Sequence, residues 1–315
     1  MTADGDGPEA GTPYHAGERA VQRRAGETAR AAHIGRTIAA GLGDIAAAFL
    51  GLQPMLVIAA ADGDGRLWSS LLTGPPGFLR ATGPHTLSVA ARPAGDDPLA
   101  AFLAAGPAPL GTLALDPRTR RRLRLNGTAR ATARGLAIDT GQVFANCPKH
   151  LQQRTLRAVA PAAEGGDRTV RGAALTDAQR RTVEAADTFF LATADPAGAA
   201  DAGHRGGRPG FVRATSPTRL SWPDYPGNAM FATLGNLALR PDAGLLFVDW
   251  TTGDLLRLGG RARVDWSAGR AALFPGARRV VDFDVETVLA TRGGSPLRWS
   301  EPVPSPANPP VPPDR

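Results

Sequence analysis

The stretch GPPGFLRAT, residues 74–82, returns with two changes as GRPGFVRAT at residues 207–215. A shift of 133 positions carries Gly77 onto Gly210, Phe78 onto Phe211 and Arg80 onto Arg213. The same shift continues without a gap. Asp62 falls on Asp195, Pro84 on Pro217, Gly111 on Gly244 and Gly127 on Gly260. Leu123-Arg124-Leu125 falls on Leu256-Arg257-Leu258, and the register spans about residues 55–134 against 188–267. The chain therefore reads as a tandem duplication of one domain. The period is far too long for a solenoid or a propeller blade.

Each copy reads as β-rich. Met55–Ala59 and Thr188–Ala192 are compact apolar runs that end in Asp-Gly or Asp-Pro-Ala-Gly turns. Short runs bounded by Gly or Pro follow. Then come Leu110–Leu115 and Gly244–Asp249, each succeeded by a turn and an alternating strand. Ala229–Leu239 reads as a short helix set between strands. Many short strands with small helices predict a mainly β fold, a tandem duplicated split β-barrel. The expected organisation is a helical extension over 1–50, a first repeat over 51–160 and a linker over 161–174. A second repeat covers 175–300, and a proline-rich tail over 301–315 is expected to be unstructured. A helix capped at Thr176 or Asp177 should open the second repeat.

Composition narrows the function. The 315 residues are 43% apolar and 21% charged, as in soluble globular proteins, and no apolar run approaches a membrane span. The N-terminus has no secretory pattern. The single cysteine, Cys147, excludes an internal disulfide and fits a reducing, cytoplasmic setting. Net charge is +7. Almost all of it is arginine, without interleaved aromatics, so no nucleic-acid partner is expected. The one dense basic run, Arg118 to Arg124, alternates with leucines and reads as a solvated strand face. There is no G-x-S-x-G or P-loop, and five scattered histidines lack metal-ligand spacing.

Duplication supplies an internal control: a position polar in one copy and apolar in the other is a candidate for function. His204, Arg205 and Arg208 stand over Leu71, Leu72 and Pro75. Asp224-Tyr225 with Gly227-Asn228 stand over Ala91-Arg92 with Ala94-Gly95, and Asn236 over Leu103. Arg208 and Arg213, five apart around a Gly bend, could converge on one anion through their planar forks. Gly227-Asn228 would place donors at a helix start, where phosphate binds well. The second copy is thus the expected anion-binding one.

These residues resemble those of the pyridoxamine 5′-phosphate oxidase-like FMN-binding split-barrel family. Arg208-Pro-Gly-Phe211-Val-Arg213 is similar to its pair of basic residues separated by four. Ser221 to Tyr225 stands at its second strand. The wordings around Tyr14-His15 and Glu18, Gln142 to Lys149, His204 to Phe211 and Leu234 to Leu237 resemble its tandem flavin-nucleotide-binding subgroup. The resemblance implies an FMN cofactor and, if the protein is catalytic, flavin-dependent oxidoreduction of a small molecule with NAD(P)H or another donor. It also implies a dimer built within one chain, with a homodimer left open. The first copy would then wall the flavin through Ser69, Ser70, Asn146, Cys147 and Lys149. A deazaflavin or haem ligand, a non-catalytic carrier or sensor, and a pair of barrels with an empty pocket are the alternatives. No counterpart of the true oxidase's substrate-phosphate residues is found.

Overall fold

The computed structural model describes residues 12–161 and 169–310. The acidic start, residues 162–168 of the expected linker and the last five residues lie outside that range. Helices α1 (Ala16–Ala25), α2 (Thr28–Gly35) and α3 (Asp44–Gly51) come first. Seven strands follow: β1 (Met55–Ala61), β2 (Leu67–Thr73), β3 (Leu79–Gly83), β4 (Thr86–Val89), β5 (Ala108–Asp116), β6 (Arg121–Thr132) and β7 (Gly135–Ala145). After β8 (Leu156–Val159), β9 (Thr169–Gly172) and α4 (Asp177–Ala185) come β10 (Thr188–Ala194), β11 (Ala200–Gly206), β12 (Arg213–Ser216) and β13 (Arg219–Asp224). The chain closes with α5 (Ala232–Leu239), β14 (Asp242–Val248), β15 (Leu255–Asp265), α6 (Ala268–Ala272), β16 (Arg279–Thr291) and β17 (Leu297–Trp299).

Two antiparallel sheets result, with strand orders β2-β1-β5-β6-β7-β4-β3 and β11-β10-β14-β15-β16-β13-β12. Under the 133-residue shift these orders are the same. So are the irregularities: the register slips between Asn126 and Gly127 in one sheet and between Gly259 and Gly260 in the other.

The apolar runs of β1 and β10 are continuous because each strand is buried on both faces. Leu56, Ile58 and Ala60 face the core of their own sheet, whereas Met55, Val57 and Ala59 face a third core shared with Phe190, Ala192, Ala202 and Leu246. The two sheets meet reciprocally. A Cβ on Gly111 would lie 2.6 Å from the Ala200 carbonyl oxygen, and one on Gly244 would lie 2.3 Å from that of Leu67. Only glycine permits this approach.

The repeated motif has a structural cause. Gly77 and Gly210 adopt φ of 91° and 87°, open to glycine at little cost. The turn returns Phe78 and Phe211 over Gly74 and Gly207, where a Cβ would come within 2.5 Å of either ring. Phe78 and Phe211 then enter the cores of their respective sheets.

Three expectations change. The helix expected from Ala229 starts at Ala232, because Ala229 and Phe231 are in the left-handed region. Residues 169–172 of the expected linker form β9 and pair with β16. The tail packs onto the body through Pro309: Val303 exchanges backbone hydrogen bonds with Gln153, Ser305 and Asn308 are buried, and Pro309 lies beside Gly276.

Candidate functional site

A half-open cleft of about 130 Å³ lies between the sheets. The first sheet contributes Arg122 and Arg124 from β6 and the segment Asn146 to His150. The second contributes His204 and Arg205 from β11, Asp224 and Tyr225 at the end of β13, Gly227 to Phe231, and the first turn of α5.

Arg122 dominates its electrostatics. Nη1 donates to His204 Nδ1 at 2.7 Å, and Nη2 donates to the carbonyl oxygens of Cys147 and Lys149. None of these acceptors is charged, so among the described residues this guanidinium faces no carboxylate. Burial, then the neighbouring Arg124, lower it to about 9. Arg124 is neutralised: its Nη1 donates to both carboxylate oxygens of Asp201, at 2.9 and 2.8 Å. Arg205 stands 3.9 Å from Asp224, and Asp224 also faces Arg279 at 3.2 Å. Burial pushes the Asp224 carboxyl up, against the pull of both arginines. Lys149 is exposed at the mouth. With Arg124 paired to Asp201, the lining carries Arg122, Lys149 and Arg205 against the Asp224 carboxylate.

His204 is buried and neutral. Burial, Arg122 and Arg205 hold it well below the usual imidazole range. A guanidinium can only donate, so Nδ1 accepts and the proton sits on Nε2. Nε2 and Asn146 Oδ1 are both buried without a partner, a cost that a bound ligand can remove.

The cleft brings together His204, Arg205, Asp224, Tyr225, Gly227, Asn228, Asn146, Cys147 and Lys149. It does not include the expected arginine clamp. Arg208 is exposed on the Gly-Pro turn. Arg213 lies 4.1 Å over the Phe274 ring and donates to the Leu273 carbonyl at 2.8 Å. Phe211 belongs to the second core, stacked with Phe189. Asn236 donates to Thr193 Oγ1 inside the fold. Ser69 and Ser70 are fully buried, and Ser70 donates to Asp97. The basic run expected to be a solvated face is the other correction. Arg124 is buried, and Arg122 turns to the cleft because β6 lies against β11 across the inter-sheet junction.

Beside the Arg124–Asp201 pair, α1 packs on α5, with Gly17 against the Gly235 carbonyl. Glu18 accepts from the His15 backbone N–H in a capping box and is buried. Burial, with Asp201 and Asp195 adding and the His15 hydrogen bond and Arg124 opposing, pushes Glu18 up to about 8. Between the ordinary glutamate range and about 8 the folded state holds the extra proton, so stability falls as pH rises through that window. Glu18→Gln is expected to match the wild type in thermal unfolding at pH 5 and to exceed it at pH 9. Parallel melting curves across this range would remove Glu18 as the cause.

Residues 175–292 match the family model for pyridoxamine 5′-phosphate oxidase. That stretch, from α4 to β16, is the part of the chain similar to the family. No curated protein matches the chain. Among solved structures, HupZ of Group A Streptococcus aligns at 15% identity and a TM-score of 0.32, over 38% of this chain and 98% of its own. A pyridoxamine 5′-phosphate oxidase-related, FMN-binding protein of Nostoc punctiforme aligns at 15% identity and 0.26, over 39% and 90%. An F420 reductase aligns at 13% identity and 0.26, over 34% and 90%.

Proposed function

We infer that the inter-sheet cleft binds FMN and that the protein is a flavin-dependent oxidoreductase of a small molecule, working with NAD(P)H or another donor. The observation that carries this reading is Arg122, a cation on the cleft wall that faces only neutral acceptors. Arg122 is only half-buried, but a cation on a cleft wall without a counter-ion still favours an anionic ligand. The donor set suits a phosphate dianion: Arg122 and Arg205 offer forks and Lys149 a point charge. The 130 Å³ of the cleft suits the phosphate end only, since sites for larger ligands run to roughly 300–1,000 Å³. The remainder of the mononucleotide extends into the open mouth beside Tyr225.

Bound flavin would supply the redox chemistry. The chain's own residues hold the anion, and Asp224 keeps Arg205 and Arg279 in place. The matching strand orders and the reciprocal glycine contacts support a dimer built within one chain. A cytoplasmic location agrees with the lone cysteine.

The test is a titration of ligand-free protein with FMN and with riboflavin. FMN is expected to bind at least roughly 10-fold more tightly, because riboflavin lacks the charge-assisted bonds. Equal affinities would remove the phosphate from the cleft. Bleaching of the bound flavin by NADPH or NADH with turnover separates an enzyme from a carrier. Colourless protein that quenches deazaflavin fluorescence would reassign the ligand.

A further inference from the structure

The C-terminal segment reaches the cleft wall through a chain of hydrogen bonds whose direction is fixed at every step. Gln152 is 1% exposed. Its Nε2 donates its two protons to the carbonyls of Gly207 at 2.9 Å and Asp187 at 3.1 Å, with the His150 carbonyl at 3.3 Å sharing one of them. Carbonyls only accept, so the amide has one orientation. Its Oε1 accepts from the Ser305 backbone N–H at 2.8 Å and from Asn308 Nδ2 at 2.9 Å. Asn308 therefore turns its amino group to Gln152 and its Oδ1 to His150 Nδ1, 3.3 Å away. An amide oxygen cannot donate, so His150 Nδ1 carries a proton.

Burial lowers His150 below the usual imidazole range. The Asn308 bond opposes this, and Arg122, Lys149 and Arg205 add to it. A neutral imidazole holds one proton, so Nε2 has a bare lone pair. The ring lies 4.8 Å from Tyr225, stacked at 29°, and both line the cleft. Pro309 closes over Gly276 next to the same tyrosine. His150 also has φ of 62°. Of the four non-glycine residues with positive φ among those described, His150, Ala229 and Phe231 line this cleft. Such strain persists where surrounding contacts enforce it.

We propose that the C-terminal tail, acting through Asn308, positions His150 so that Nε2 is a neutral hydrogen-bond acceptor of the cleft, alongside Asn146 Oδ1. The ligand taken there then joins an anionic group to an N–H or O–H donor. The proposal rests on the cleft being an anion site and adds a donor to the description of its occupant. Asn308 is a positioning residue, since it acts through His150.

The test uses the full chain. ¹⁵N NMR of histidine-labelled, ligand-free protein, with His150→Gln to assign the signal, is expected to show Nδ1 protonated and Nε2 bare. That is the reverse of the form favoured in water. Asn308→Ala is expected to move the proton to Nε2. It should also weaken FMN, which carries N–H and O–H donors, by roughly 3- to 10-fold. Sulfate, an anion without a donor, should bind both proteins alike. A wild-type His150 protonated at Nε2, or an unchanged His150 signal in Asn308→Ala, overturns the proposal. Sulfate binding without FMN binding overturns the cofactor reading instead, and the His150 signal still decides this one.

Discussion

Arg122→Ala is expected to weaken FMN binding by about 10- to 100-fold, the scale of a lost charge-assisted contact. Arg208→Ala and Arg213→Ala should leave the affinity unchanged. Among the described residues Arg122 has no carboxylate to neutralise it, whereas Arg208 projects into solvent and Arg213 is spent on Phe274 and Leu273. Arg122→Lys should fall between, because an ammonium keeps the charge and loses the planar fork. The pH profile follows from the same group. Arg122 is held near 9 in the free protein, and the anion binds its protonated form. Affinity should be flat from about pH 7 to 8 and decline as pH rises through 9. It should also decline below roughly 6, where a phosphate monoester takes up a proton. Titrations of the wild type and the four variants across pH check both parts. Equal losses for Arg122→Ala and Arg208→Ala would return the phosphate to the Gly-Pro turn.

The contrast between these arginines shows what the sequence made legible. Strand runs and the helix at Thr176 were readable because periodicity and turn residues act locally, and the 133-residue repeat of letters coincides with two sheets of matching strand order. The cleft's second-sheet wall was readable from His204, Arg205 and Asp224, which stand over Leu71, Leu72 and Ala91. The same comparison also identifies Arg122, which stands over Leu255. That signal was masked by the alternation of β6, a pattern that fits water and a facing sheet equally well. Arg213 was misread in the opposite sense. It has a counterpart, Arg80, as Phe211 has Phe78. A feature kept in both copies serves the turn and the core, not the one cleft. The tail gave no local signal at all, since its order comes from Gln152, some 150 residues away in sequence.

Asp201→Ala and Asp97→Ala are each expected to cost about 3–5 kcal/mol of stability, the range for stranding one partner of a buried ion pair. Arg124 and Arg257 are equivalent under the 133-residue shift, and each crosses to a carboxylate from the other half of the chain. Arg124 meets Asp201 at 2.8 Å and Arg257 meets Asp97 at 2.6 Å, with all four side chains at most 8% exposed. The carboxylates themselves are not equivalent. Trp68 occupies the position matching Asp201, and Met230 the position matching Asp97. The junction has thus kept two arginines and drawn a counter-charge for each from different places. Asp64→Ala, which breaks an exposed pair with Arg66, should change stability by no more than about 0.5 kcal/mol. Denaturant unfolding of the three variants makes the comparison, and similar small losses throughout would mean that water reaches both junction pairs. Ligand binding separates the two junction sites. Arg124 lines the cleft and Arg257 does not, so Asp201→Ala frees a second guanidinium for the anion. FMN should then raise the unfolding midpoint of Asp201→Ala by more than it raises that of the wild type, and should raise that of Asp97→Ala by the wild-type amount.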